Sequence, residues 1–366
     1  MIKSTGSRRR PTTAHPETLP QALPMPAEAP VTGANHVWAL VLAGGEGSRL
    51  RSLTTRPCGT SVPKQFCSLR GGHTLLEDAL KRAAGVAPPE QICTIVAQQH
   101  REWWSEALRG TPAANVIVQP RNRGTAIGLL YSLLHILPRD PLAHVVLLPA
   151  DHYVRDEAVL KQAMQEALRR LEQDPGAPVL LGVQPEEVDP ELGYILPGQQ
   201  DPLGGRNVAR FIEKPNAVLA RDVIEQGGMW NTFIIAASVK SLVDLFMPRF
   251  APLVMEMQVI MNRATSVGLP AVAGWAALVD MYERLPQLDF SRDILEGREA
   301  HLRVVNVPTC GWSDLGTPKR VAETLQRIPF DQLNFHHDAA SVVINLALQH
   351  AHFARDPRVL GNQHLS

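Results

Sequence analysis

From Val37 onward the hydrophobic positions fall into two alternating patterns. Short uninterrupted apolar runs recur at "VWALVL" (Val37–Leu42), "ICTIVA" (Ile92–Ala97), "NVIV" (Asn115–Val118), "HVVLLP" (His144–Pro149) and "PVLLGV" (Pro178–Val183). Runs of this length are what strands buried on both faces look like. Between them, apolar residues return at helical spacing in "TLLEDALKRAAG", "REWWSEALRG", "TAIGLLYSLLHIL" and "EAVLKQAMQEALRRLEQ". Strands alternating with helices of this length predict βαβ units and a largely parallel sheet, hence an α/β fold. "VARFIEK", "NTFIIAA" and "LRVVNVP" read as further strands, with helices near residues 240–265 and 317–328. No internal repeat and no strong interdomain linker breaks the pattern. One domain over residues 37–330 is expected, within the usual domain-size range. Residues 1–36, rich in Pro, Ala, Thr and Glu, read as a disordered leader. Residues 331–366 read as a C-terminal tail in which Ala339–Ala354 could form one more helix.

Composition removes several function classes. The 366 residues carry 36 Lys plus Arg against 36 Asp plus Glu, a formal net charge of zero. A polyanion such as nucleic acid needs excess basic charge, so none is expected as partner. A small phosphorylated ligand needs only a few local cations. The four cysteines form no CxxC pair, which fits reduced thiols in the cytoplasm better than a disulfide frame or a zinc site. No window approaches the about 18 uninterrupted apolar residues of a membrane span. The N-terminus has basic residues but no apolar stretch of the secretory kind.

The stretch with the most chemistry is "VLAGGEGSRL" (Val41–Leu50). A buried-strand pattern ends in Gly44, Gly45 and Gly47, followed by Arg49. In an open α/β sheet, ligands sit at the carboxyl ends of strands. Glycines there let backbone N–H groups approach a phosphate or base, and an arginine can add a charge-assisted bond to phosphate oxygens. The loop lacks the Gly-Lys-Ser/Thr of a Walker A motif, and Leu50 stands where a dinucleotide fingerprint needs its third glycine. A tight turn without ligand is the alternative reading of such a loop.

Other positions carry similar pairs of readings. Asp151, after "VVLLPA", is placed either to hold Mg²⁺ through oxygen or to cap a turn. Asp314, in "CGWSDLGTP", is a second carboxylate on a glycine-flanked turn before a helix. Glu213 and Lys214 alternate along a strand, so both can face one ligand only if the strand ends or bulges there, as Pro215 permits. Asn231, before an apolar strand, is otherwise a turn residue. Of the adjacent Trp103 and Trp104, one is expected to pack and the other to be partly exposed. "HHD" at His336–Asp338 is expected at the surface.

"LAGGEGSRL" followed by "PKQF" resembles the signature of sugar-phosphate nucleotidyltransferases, nearest the mannose-1-phosphate guanylyltransferase type. The resemblance continues in order through "QPRNRGTAIG", "LLPADHYV", "LGYI", "FIEKP", "WNTF" and "GWSDLG", over about residues 37–325. It implies a Rossmann-like three-layer nucleotidyltransferase fold with a mostly parallel mixed sheet. It further implies that Arg49, Lys64, Asp151 and Asp314 are catalytic. Lys64 would bridge the phosphates of the two substrates, and Asp151 and Asp314 would clamp one Mg²⁺. Gly44, Gly45, Gly47, Gln119, Gly124 and Thr125 would seat the nucleotide. Gly193, Glu213, Lys214 and Asn231 would hold the sugar phosphate. Two departures stand out: Phe233 follows "WNT" where the family commonly has a small residue, and Gly124 stands where an Asn is usual. The second domain of long bifunctional relatives has no counterpart here, so isomerase activity is not expected.

The implied reaction moves a nucleotidyl group from an NTP, foremost GTP, to a sugar 1-phosphate, foremost mannose 1-phosphate. The implied partners are these small molecules and, as a further possibility, a second copy of the chain. The competing readings are the same chemistry on glucose 1-phosphate with UTP or dTTP, and a non-catalytic nucleotide-sugar-binding regulatory subunit.

Overall fold

The computed structural model describes residues 36–56, 59–200, 205–265 and 271–329. Residues 1–35 of the expected leader, the expected tail 331–366, Cys58 and His336–Asp338 lie outside the described residues.

Among the described residues, nine strands form one sheet: β1 (Val37–Leu42), β2 (Ile92–Ala97), β3 (Val116–Gln119), β4 (His144–Pro149), β5 (Val179–Val183), β6 (Gly193–Gln200), β7 (Arg206–Glu213), β8 (Met229–Ser238) and β9 (Arg303–Val307). The α-helices that accompany them are α1 (Arg51–Thr54), α2 (Leu75–Ala84), α3 (Arg101–Ala107), α4 (Thr125–Ile136), α5 (Glu157–Gln173), α6 (Ala217–Glu225), α7 (Val239–Thr265), α8 (Ala271–Arg284) and α9 (Pro318–Gln326).

Strand alternation builds two cores. Ala39 and Val41 of β1 face one side, with Leu76 and Ala79 of α2, Leu160 and Met164 of α5, and Val321 of α9. Trp38 and Leu40 face the other, with Ile127, Leu130 and Leu134 of α4, Phe246 and Met257 of α7, and Tyr282 of α8. Because both faces of β1 are covered, its sequence is a continuous apolar run rather than an alternating one. The result is a three-layer α/β/α arrangement.

The sheet is mixed. β3-β2-β1-β4 run parallel, and so do β5 and β9. β8 enters between β4 and β5 antiparallel to both. β6 and β7 form an antiparallel pair at the far edge, where β6 also meets β8 and β7 meets β9. Parallel β1, β2, β3 and β4 therefore end on one side, and the antiparallel strands close that side off.

Helix starts are locally encoded. Thr74 and Glu77 form a reciprocal capping box on α2, Asp156 caps α5, and Thr317 caps α9 with Pro318 in its first turn. α7 kinks at Phe250, flanked by Pro248 and Pro252, which cannot donate to the helix ladder. Four elements were not anticipated: β6, α1, α6 and α8. β6 carries Pro197 and Gly198 at a register shift, so its pattern is broken where a strand signal would be sought. The adjacent tryptophans are both partly buried: Trp104 donates to the Ala97 carbonyl at 2.9 Å, and the Arg56 guanidinium lies over the Trp103 ring. Cys67, Cys93 and Cys310 are buried free thiols. Among the described residues, no helix is long and apolar enough to cross a membrane.

Candidate active site

A cleft of about 370 Å³ opens at the carboxyl ends of β1, β3 and β4 and is walled by β6, β7 and β8. Most residues singled out in the sequence line it: Gly44, Gly45, Arg49, Gln119, Gly124, Thr125, Asp151, Gly193, Glu213, Lys214, Asn231 and Asp314. Gly47 and Lys64 do not.

The three loop glycines serve different ends. A side chain on Gly44 would collide with Nε2 of Gln119. Gly47 has φ +60° and lies against the Lys64 backbone, where an added Cβ would meet Lys64 N at 2.8 Å. Both are glycine for internal reasons. Of the three, Gly45 has nothing within 4 Å of where a Cβ would stand. The protein leaves that space open in the cleft wall. Gln65 holds the loop by donating from Nε2 to the carbonyls of Ala43 and Gly45, each at 2.8 Å. Gly44 and Gly45 both line the cleft, and Gly45 alone of the three loop glycines has open space where a side chain would stand.

Lys64 lies just outside the cleft lining. It is buried behind the wall, and its ammonium donates to the Asp314 carbonyl at 2.6 Å and lies 2.9 Å from Asp151 Oδ2. Bridging two substrate phosphates would require it to release Asp151. In this structure it instead ties the two aspartate segments together. Burial pushes the Asp151 carboxyl up, but the Lys64 ammonium, the neighbouring His152 and local hydrogen bonds outweigh that, and its pKa falls below the usual value. His152 is held neutral, its pKa pushed down to about 4 by burial. Its ring meets Trp312 edge-on at 5.3 Å.

Asp314 is buried, and its Oδ1 accepts from Arg320 Nη1 at 3.1 Å. Its Oδ2 and Arg49 Nη2 both lie within 3.3 Å of the point where a Gly316 side chain would begin. Gly316 therefore lets the carboxylate and Arg49 approach. Arg49 reaches across the cleft to Glu191, Nη1 to Oε2 at 2.9 Å, with both side chains about half exposed. No group of three or more His, Cys, Asp or Glu suited to a metal occurs among the described residues. Asp151 and Asp314 line one cleft, and two carboxylates suit Mg²⁺, which takes few protein ligands and completes its shell with water and substrate phosphate. Asp314 Oδ2 accepts no hydrogen bond among the described residues.

On the antiparallel side, β7 ends at Glu213, and Lys214 follows with φ +50°. That left-handed residue turns the chain, so Glu213 and Lys214 both line the cleft, with Nζ and Oε1 4.0 Å apart. Gly193, paired with Glu213 across the ladder, has no room for a side chain beside the Glu213 carboxylate. Burial and then the neighbouring Asp289 raise the Glu213 pKa to about 7, against the opposing pull of Lys214, Ser291 and Arg292. Asn231 is buried, and its Oδ1 accepts from the Phe233 N–H at 3.1 Å. Phe233 has φ +59° beside a register shift in the β5–β8 ladder and meets Phe290 edge-on.

At the third wall, Gln119 is buried with Oε1 unpartnered. Gly124 has φ +88°, and a side chain there would strike the Leu288 carbonyl. Its N–H donates to Asn122 Oδ1 at 2.8 Å. The Thr125 hydroxyl accepts from the Phe290 N–H at 2.8 Å. Gly124 and Thr125 thus also pin the 288–290 segment to α4. That close approach accounts for a glycine at position 124.

Sequence reasoning missed Gln65, Asn122, Glu191, Asp289, Ser291 and Arg320. Gln65 and Asn122 sat inside quoted motifs, so motif membership could have flagged them. Asp289 and Ser291 lie in "LDFSRD", which has no periodic or glycine signal.

The architecture and cleft define an α/β protein whose open site lies at the carboxyl ends of parallel strands. The chain belongs to the nucleotidyl transferase family, whose model matches residues 38–329. Mannose-1-phosphate guanylyltransferase 2 of Escherichia coli O157:H7 is 35% identical over 215 residues, 55% of this chain and 43% of its own. Xanthan biosynthesis protein XanB of Xanthomonas campestris pv. campestris is 33% identical over 211 residues, 56% of this chain and 43% of its own. The chain thus spans less than half the length of these curated relatives. A crystal structure described as mannose-1-phosphate geranyltransferase from Thermus thermophilus superposes with a TM-score of 0.66 at 26% identity, covering 81% of each chain.

Proposed function

We propose that this chain transfers a nucleotidyl group from GTP to mannose 1-phosphate, releasing pyrophosphate and forming GDP-mannose. The observation that carries the reading is one cleft holding an open glycine position, two aspartates organised by one lysine, and a polar bay of Gly193, Glu213, Lys214 and Asn231. The names of the relatives supply the sugar and base.

A phosphate oxygen of the sugar 1-phosphate attacks the α-phosphorus of the NTP. The bond from that phosphorus to the β-bridging oxygen breaks, and its electron pair leaves with pyrophosphate. The nucleophile is already an anion at neutral pH, so no general base is needed. The task is to hold two anions in line and to offset their repulsion. Arg49 at the cleft mouth meets the triphosphate, exchanging its exposed bond to Glu191 for phosphate oxygens. Gly45 admits the nucleotide against bare backbone. Gln119, which lines the cleft, offers its side-chain amide to the base. Lys214 meets the sugar phosphate, and Glu213 and Asn231 meet sugar hydroxyls. Asp151 and Asp314 would hold Mg²⁺, which when bound neutralises phosphate charge and polarises the α-phosphorus. Lys64 keeps those two carboxylates in register. The reading places the reaction in the cytoplasm, where NTPs are available.

The test is pyrophosphate release from the full chain with Mg²⁺ and mannose 1-phosphate, adding GTP, ATP, UTP, CTP and dTTP separately. Release with GTP alone is expected. Release with another NTP overturns the base assignment. Silence with all five, repeated with glucose 1-phosphate, overturns the catalytic reading.

A further inference from the structure

Behind the cleft wall lies a buried arginine that motif reading passed over. Arg320 stands in the first turn of α9, where the helix dipole disfavours a cation. Its side chain is nonetheless 7% exposed, so neighbouring charges must hold it there. Its Nη1 donates to Asp314 Oδ1 at 3.1 Å. Its Nε donates to Asp189 Oδ2 at 2.8 Å, and Nη2 bonds the same oxygen. The guanidinium lies 4.8 Å above the Trp230 ring, next to Asn231. Asp189 in turn anchors the loop that carries Glu191. Its Oδ1 accepts the Glu191 N–H at 2.7 Å, and its backbone is held on both sides by the buried Tyr194 hydroxyl.

We propose that Arg320 is a positioning residue for nucleotidyl transfer. It fixes Asp314 by occupying Oδ1, leaving Oδ2 as the single oxygen for a phosphate-borne cation. Through Asp189 it also seats the loop that brings Glu191 to Arg49. One planar fork thereby sets the carboxylate and the loop on opposite sides of the same substrate. A lysine could supply the charge but not both bonds. The inference rests on the reading of Asp314 as a metal carboxylate.

Its signature separates it from a merely structural role. Without the guanidinium, Asp314 gains freedom at Oδ1 and loses a neighbouring positive charge. A free divalent cation then binds more tightly while turnover falls. In Arg320→Met, kcat is expected to drop at least about tenfold, and Mn²⁺ affinity, measured by proton relaxation without nucleotide, to rise about threefold. Arg320→Lys should return Mn²⁺ affinity to the wild-type value and recover only part of kcat. In the double variant Arg320→Met/Asp314→Asn the combined loss should be clearly smaller than the two single losses added together, because part of the Arg320 effect passes through Asp314. Additive losses in the double variant overturn the inference, as does wild-type kcat in Arg320→Met. Should Arg320→Met fail to fold, Arg320→Lys decides: reduced kcat at an unchanged melting temperature supports the proposal, and wild-type kcat overturns it. Wild-type turnover in Asp314→Asn would instead overturn the underlying metal reading. A slow Asp314→Asn beside a wild-type Arg320→Met overturns this inference alone.

Discussion

The side of the cleft that carries the glycine loop is built from regular parts. β1, β3 and β4 run parallel, end together, and hand over to loops at Ala43, Pro120 and Ala150. The opposite side is built from broken parts. Three non-glycine residues have positive φ among the described residues: Lys214, Phe233 and Leu315. Lys214 and Phe233 line the antiparallel wall, and Leu315 follows Asp314. Each sits in a conformation that costs on the order of 1–3 kcal/mol and persists only where surroundings enforce it. A parallel sheet presents all its strand ends on one side, so a cleft there needs only an open loop. Antiparallel strands present alternating faces and must be bent before consecutive residues such as Glu213 and Lys214 can share a cavity. The same cleft therefore combines a wall inherited from topology with a wall made by local strain.

The largest test of this contrast removes the charge where the two walls meet. Asp314→Asn should lower kcat by about two to four orders of magnitude, the scale of losing a metal carboxylate that stabilises transition-state charge. Its melting temperature should stay within a few degrees, because Arg320 keeps its bonds to Asp189. Near-normal turnover at a normal melting temperature would show that Asp314 is part of the strained wall's structure only.

The next test uses pH on the antiparallel wall. Glu213 titrates at about 7 in the folded chain against an ordinary value of 4.5. The folded chain therefore holds a proton that the unfolded chain releases. The resulting stabilisation is complete below pH 4.5 and is lost as pH rises through about 7. Over that window it amounts to about 3 kcal/mol. Glu213→Gln should flatten the fall in melting temperature between pH 4.5 and 7 and melt higher than wild type at pH 8. An unchanged slope would show that Glu213 ionises freely and that the wall is wetter than its burial implies.

The two walls also differed in how far the sequence disclosed them. Continuous apolar runs marked β1, β2 and β4 because burial on both faces leaves no polar position to confuse the period. Gly44 and Asp151 followed from where the β1 and β4 runs ended, while Gln119 was reached only through the family resemblance of "QPRNRGTAIG". On the antiparallel side, β6 was hidden by Pro197 and Gly198, whereas the turn at Lys214 was signalled by Pro215, which permitted the strand to end there. Arg320 was hidden for another reason. A cation near a helix start reads as surface, and its partner Asp189 lies 131 residues away. The individual tasks of the glycines were equally out of reach, since Gly124 is explained by the Leu288 carbonyl and Gly47 by the Lys64 backbone.

The smallest effects come from those glycines, and they divide cleanly. Gly124→Ala forces a side chain into a left-handed backbone and against Leu288, so it should destabilise the fold by about 1–3 kcal/mol. Gly45→Ala meets no protein atom, and its φ is not in the left-handed region. Its stability should stay within about 0.5 kcal/mol of wild type, as for a surface substitution free of special features. If the open space beside Gly45 belongs to the nucleotide, the added methyl should raise KM for the NTP about tenfold and leave KM for the sugar 1-phosphate unchanged. That split, read from steady-state kinetics beside thermal melting, assigns the gap to one substrate. Equal effects on both KM values would move Gly45 out of the nucleotide wall. No effect on either would make the third loop glycine, like the other two, a matter of chain geometry alone.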